Sequence, residues 1–305
     1  VVVMFNLFKA DLYHLIHARY FWVITAIAIA FLVFIAMFLN WTASPEFAHM
    51  VNESVAQNEQ VAEPTLDSDS SNEGDEDAPL NSKILSSFTY DCGQIFFDSS
   101  LVGILGSLLA ALLILSDFKK GYIKNLPMDN RGRRNYFAEK LIMVALLQVY
   151  VIAVCALASL LLFLALGFSF ESIEPLGDVA LWLFLVWLYS TAMAYLISCI
   201  AWLSRSDAVS SATALFLSSG ILGVIVLQII GSLANVFPML GQIPQFLLAS
   251  VRTELHNGSS GLWSMCTGEA FLAIPVWAHA LIVCIAFSLI AAIVSWALCR
   301  NRDMA

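Results

Sequence analysis

The side chains here that could do chemistry fall into three groups. The densest is Asp117 to Lys140, DFKKGYIKNLPMDNRGRRNYFAEK, which holds seven of the fourteen Lys and Arg residues. Clustered cations interleaved with aromatics can dock on an acidic protein groove or on anionic headgroups without making or breaking bonds. A second group, Gly258-Ser259-Ser260-Gly261 with His279 downstream, offers a hydroxyl and an imidazole, the pair that nucleophilic catalysis requires. Ser260 sits in a segment broken by Gly and Pro with no long apolar run behind it, so these residues read as a flexible Gly-Ser turn. His279, beside Trp277, reads as an interfacial residue. The third group is the cysteines. Cys155, Cys199, Cys284 and Cys299 lie in apolar runs and read as small packing residues. Cys92 and Cys266 lie in polar surroundings and form a disulfide only if the fold brings them together. No Gly-x-x-x-x-Gly-Lys-Ser/Thr, no His-Glu-x-x-His and no Cys/His cluster with metal-ligand spacing is present. The expectation is a chain that is not an enzyme and has no catalytic residue, metal or cofactor of its own.

The elements that position these groups are apolar. The chain is 60% hydrophobic and 12% charged, with a mean hydropathy of +0.83. Soluble domains carry about 25% charge, so the composition is that of a polytopic, all-α membrane protein. The first apolar run is too long for the core of a cleavable signal peptide and is expected to be retained as an anchor. Six spans are expected: Tyr20 to Asn40, Ser99 to Ser116, Leu141 to Leu166, Val179 to Leu203, Ala208 to Gly231 and Ala278 to Cys299. Gly103 and Gly106 in the second span permit close helix contact. Gly220, Gly223 and Gly231 in the fifth either do the same or reflect how common Gly is in membrane helices. Before the first span, residues 4–20 place Phe5, Phe8, Leu12, Leu15 and Ile16 at helical spacing, with Lys9, Asp11, His14 and Arg19 mostly elsewhere. This reads as an interfacial helix. Residues 232–277 are too broken by Pro and Gly for one straight span and too apolar for an ordinary loop. Re-entrant helices on the outer side satisfy both constraints.

Charge orients the bundle. The net charge of −9 misleads, because ten of the twenty-three carboxylates lie between Glu46 and Asp77. Residues 42–80 cannot bury enough apolar surface to offset their ordering and are expected to be a disordered outer insert. That insert reads either as a solvated linker or as an acidic lure for cationic substrates. With both termini inside, cytoplasmic segments hold twelve Lys and Arg residues and outer segments only Lys83 and Arg252. This excess predicts cytoplasmic termini and a cytoplasmic Asp117–Lys140 loop. The span interiors contain no Asp, Glu, Lys or Arg, which argues against an ion-coupled carrier.

The order of residues in the basic loop carries a family resemblance. A carboxylate closes a span (Asp117), an aromatic-basic-Gly run follows (Phe118, Lys119, Lys120, Gly121), and then Tyr122 and a short apolar turn at Leu126, Pro127 and Met128. A basic cluster (Arg131, Arg133, Arg134) precedes Lys140, which opens the next span. This resembles the coupling loop of type-two ABC transporter permeases. The resemblance implies one permease domain over residues 1–305, with 117–140 as the cytoplasmic coupling loop that docks on a separate ATPase. It implies ATP and Mg bound by that ATPase, a second permease chain forming a homo- or heterodimer, and no nucleic acid. It further implies export of a hydrophobic or amphipathic substrate (peptide, drug or lipid-like) across a bacterial cell membrane, as in the antimicrobial-peptide export and immunity group. The 42–80 insert is longer than the outer connection of that family. Two other readings remain at this point. One is a non-transporting scaffold or sensor that recruits a partner through the loop, and the other is an intramembrane protease using Ser260.

Overall fold

The computed structural model describes residues 2–44, 46–47, 49–50, 83–119, 130–266 and 274–301. Most of the acidic insert and the middle of the basic loop lie outside the described residues. Helix α1 (Val2–Ile16) precedes the long α2 (Arg19–Thr42). After the insert come β1 (Ile84–Leu85), α3 (Phe88–Gly93) with a π-helical turn at Gln94–Asp98, and α4 (Leu101–Lys119). Next are α5 (Asn130–Ala165), β2 (Ser169–Phe170), α6 (Leu176–Ser204), α7 (Asp207–Ser218) and α8 (Ile221–Ala234). Two 3-10 turns, Pro238–Gln242 and Pro244–Phe246, then lead to α9 (Leu248–His256) and α10 (Val276–Asn301).

Five of these helices are long and apolar enough to cross a bilayer: α2, α4, α5, α6 and α10. A sixth span results if α7 and α8 are taken together. The protein is thus an all-α polytopic membrane protein. Helices α4 and α6 are the most buried, whereas α2 and α10 expose most of their surface. Between helices in lipid there is little hydrophobic drive, so small residues and hydrogen bonds hold the bundle. Gly106 shows why: a Cβ there would fall 2.1 Å from Gln148 Oε1. In its absence Gln148 Nε2 reaches across from α5 and donates to the Gly106 carbonyl at 3.0 Å. Trp187 Nε1 donates to the Ala145 carbonyl and Tyr195 OH to the Leu141 carbonyl, binding α6 to α5.

Three expectations change. The helix of the third span starts earlier than Leu141. Helix α5 has 36 residues, about 54 Å at 1.5 Å per residue, which is far more than the ~30 Å hydrocarbon core. Its first turns therefore carry the second half of the basic loop as helix, and α4 carries Asp117, Phe118 and Lys119. The fifth span is not straight: α7 and α8 meet at 59°. Gly220 supplies the break with φ +81°, a left-handed conformation that favours Gly. The interfacial helix turns a different stripe inward. Asp11 and Leu15 are buried, with Phe8 packed on the core, while Leu12 and Ile16 are exposed.

At the end of the bundle opposite the basic loop, the broken elements form a cap. Strands β1 and β2 pair in parallel, Ile84 with Ser169 and Leu85 with Phe170. This joins the lead into α4 to the turn after α5. Helix α9 buries Leu248, Val251 and Leu255, and Trp182 Nε1 of α6 donates to the Leu255 carbonyl at 2.9 Å. The described residues of 232–266 are broken as their Pro and Gly content requires.

Candidate functional site

The loop between α4 and α5 is built from its base upward. Lys140, in the third turn of α5, is fully buried. Its Nζ lies 2.6 Å from Asp117 Oδ2 and also pairs with Asp11 Oδ2 of α1. Tyr136, one turn earlier on the same helix face, donates its hydroxyl to Asp117 Oδ2 at 2.8 Å. The Tyr136 ring lies 5.4 Å from Lys140 Nζ, close enough for a cation–π contact. Glu139 is also buried, and neither of its oxygens has a hydrogen-bond donor among the described residues.

An isolated ammonium at this depth would be very costly. Two carboxylates, one hydroxyl and one ring offset that cost, and each comes from a place that matters for the loop. Asp117 is on the helix that enters the loop, Lys140 and Tyr136 are on the helix that leaves it, and Asp11 is on the helix before the first span. Lys119 adds an exposed pair with Asp207 at the start of α7, and the Arg205 guanidinium sits 5.3 Å from the Phe118 ring. Beneath them Ile114, Leu115, Phe137, Ala201 and Trp202 form a separate apolar cluster, with Phe118 and Trp296 packed on it. The base of the loop is one interlocked unit spanning α1, α4, α5, α6 and α7.

Of the residues that the sequence singled out, Asp117, Phe118, Lys119 and Lys140 converge on this unit. Arg133 is half-buried and Arg134 exposed on the first turns of α5. Lys120, Gly121, Tyr122, Leu126 and Met128 lie outside the described residues, as does the Arg131 side chain. Asp11, Tyr136 and Asp207 were not anticipated. Asp11 is 129 positions from Lys140, and only its place in a helix whose neighbours at i−3 and i+4 are apolar hints that it faces inward.

The cap has its own polar nodes. Glu174 accepts from Ser87 Oγ, from the backbone amide and hydroxyl of Thr89, and from Ser259 Oγ. Burial alone would raise its carboxyl, but these four donors hold it below the usual Glu value. Arg252 of α9 reaches the Phe97 carbonyl and Ser100 Oγ at the head of α4. Its guanidinium occupies the space that a Cβ on Gly220 would need, 1.9 Å from Nη1. The turn Gly258–Gly261 is structural: Ser260 Oγ donates back to the Asn257 carbonyl, and His279 is engaged with Glu254 and the Gln245 carbonyl. No serine–histidine pair results. Cys92 and Cys266 are both free thiols, so the disulfide that the sequence left open is not formed. Cys92 is fully buried in the main core, while the Cys266 thiol faces Glu254 Oε1 at 3.7 Å.

Residues 81–221 match the model of the family described as ABC-2 family transporter protein. Over this stretch the chain is similar to ABC-2 family transporter proteins. The matched stretch runs from β1 to the break at Gly220, so it contains the whole loop and the Asp117–Tyr136–Lys140 contacts. It leaves out α1 with Asp11, the acidic insert, α9 and α10. No curated protein matches the chain. The apolar helices make this a multi-pass membrane protein, and the match supports a membrane subunit of an ABC transporter.

Proposed function

We propose that this permease is the membrane subunit of an ATP-driven exporter, and that a separate ATPase docks on the loop between α4 and α5. The observation that carries this reading is the buried Lys140 held by Asp117 and Asp11. Because the two flanks of the loop and α1 are locked together, a push on the loop is not absorbed locally. It arrives in the spans α4 and α5 and in the interfacial helix at once. Arg131, Arg133 and Arg134 steer the ATPase onto the loop, and Phe118, Tyr122, Leu126 and Met128 anchor it. The partner holds ATP and Mg, and this chain holds neither. A second permease chain, identical or related, completes the pathway.

Cargo follows from the spans. Beyond the loop-end cluster, the span interiors carry no Asp, Glu, Lys or Arg, so the path suits a hydrophobic or amphipathic molecule such as a peptide or lipid-like compound. Both termini and the loop lie on the cytoplasmic side of a bacterial cell membrane, in accord with the Lys and Arg count. The test is purification from native membranes with and without Arg131, Arg133 and Arg134 changed to Ala. The expected result is an ATP-hydrolysing complex with the unaltered chain and loss of the ATPase with the triple variant. If the unaltered chain brings down no nucleotide-binding subunit, coupling to ATP is excluded and the scaffold reading takes its place.

A further inference from the structure

Three donor atoms of different chemistry meet in the cap, on segments far apart in sequence. Glu254 lies in the last turn of α9, Cys266 lies beyond the Gly258–Gly261 turn, and His279 lies in the first turn of α10. The carboxylate, thiol and imidazole donor atoms all fall within 4.8 Å of one another. His279 Nδ1 is 2.8 Å from Glu254 Oε2, and Cys266 Sγ is 3.7 Å from Glu254 Oε1. His279 is buried, while Glu254 and Cys266 are half-buried, so the cluster is shielded yet reachable.

The imidazole supplies the second, independent observation. Its Nε2 is 2.7 Å from the Gln245 carbonyl, an oxygen that can only accept, so Nε2 must carry hydrogen. A neutral imidazole has one N–H, so the Nδ1 lone pair then points at a carboxylate oxygen that also only accepts. Either a proton shared between Nδ1 and the Glu254 carboxyl or a metal ion must therefore sit between them. The presence of Cys266 at the same point favours the ion. Thiolate, imidazole and carboxylate are the ligand types zinc takes, and an N–H···O=C bond from the distal ring nitrogen is the usual support of a metal-bound His.

We propose that Glu254, Cys266 and His279 form a binding site for a zinc-class divalent ion, with Gln245 orienting the imidazole. Metal–ligand bonds of about 2.0–2.3 Å around a tetrahedron separate neighbouring ligand atoms by roughly 3.3–3.7 Å. The Cys–Glu spacing already meets this, and the His–Glu spacing needs to open by about half an ångström. The ion replaces the Cys266 thiol proton and any proton between Nδ1 and Glu254, both of which pass to solvent, and water fills the fourth position. Hard cations such as Mg²⁺ and Ca²⁺ are disfavoured by the thiolate and imidazole. An occupied site staples α9, the strand-like residues around Met265 and the head of α10 into one cap. No spacing rule could reveal it, because its members stand 12 and 13 residues apart on separate elements.

The experiment uses the full-length permease in detergent, freed of any affinity tag and of metal by chelator, and titrated with Zn²⁺ against a chromophoric competitor and with Co²⁺ by absorption. The expected result is one ion per chain, a thiolate-to-cobalt charge-transfer band, and affinity weaker by about 100-fold or more in Cys266→Ser and His279→Gln. Glu254→Gln, which keeps the shape of the side chain, provides a further variant. If a variant fails gel filtration, the charge-transfer band of the unaltered protein decides by itself. Absence of that band, or zinc uptake unchanged by Cys266→Ser, overturns the proposal and leaves the site as His279 and Glu254 sharing a proton.

Discussion

Lys140 is the residue on which the loop end turns, and its neighbours define how it can be tested. Removing the one cation among buried carboxylates leaves Asp11 and Asp117 uncompensated, at a cost of about 3–5 kcal/mol. Lys140→Met is therefore expected to lower the unfolding midpoint of the purified permease severely. Glu139→Gln removes a buried carboxylate that has no donor among the described residues and is expected to be neutral or stabilising in the same melt. Equal losses in both variants would mean the cluster is not organised around Lys140. In the cap, Asp91 is held up to about 6 by burial, with the backbone at Ser87 opposing this and the Glu174 charge adding to it. The folded state thus binds its proton more tightly than the unfolded chain, whose carboxyl has the ordinary value of 3.8. Stability contributed by the protonated form is present below that value and is lost as pH rises toward 6. Asp91→Asn removes the loss. It is expected to raise the midpoint at pH 7 by on the order of 1–2 °C, a modest gain because the carboxyl is partly solvated. The gain should vanish below about pH 4. A gain that grew toward acid pH would reverse the sign and refute the account.

At the scale of elements, the joint between α7 and α8 is the feature with the clearest mechanical meaning. Gly220 is left-handed there, and Arg252 from the cap packs where its side chain would be. Gly220→Val meets both obstacles, a left-handed backbone costing roughly 1–2 kcal/mol and a displaced guanidinium. It is expected to lower the melting midpoint and expose the cap to limited proteolysis. Gly231→Ala, with no neighbouring atom within 4 Å, should leave both readouts unchanged. The small residues of the fifth span are therefore not equivalent. Gly220 makes the bend, Gly223 gives room to Ala249, and Gly231 faces open space. The composition of the span was legible in the sequence, but these three roles were not, since each depends on what another element places opposite.

For the whole molecule, the two ends of the bundle carry different chemistry, basic and interlocked at the loop, acidic and cysteine-bearing at the cap. On a Cys266→Ser background, a Ser206→Cys chain should react with an impermeant maleimide only after cells are permeabilised, and a Ser260→Cys chain should react in intact cells. The opposite pattern would invert the topology read from the Lys and Arg count. The sequence by itself determined the class of the protein, the approximate positions of the spans and the place of the basic loop between two of them. Those follow from composition, run length and residue order, which are local and survive without knowing any contact. Even the break in residues 232–266 was legible, because Pro and Gly act on their own backbone. The tertiary structure alone decided that Asp11 faces Lys140, that Cys92 and Cys266 stay apart, and that Glu254, Cys266 and His279 meet. Each of these is a distance between segments remote in the chain. Such distances are set by which helix faces pack, and a buried charge or a donor cluster forms only where that packing excludes water and brings its partners within reach.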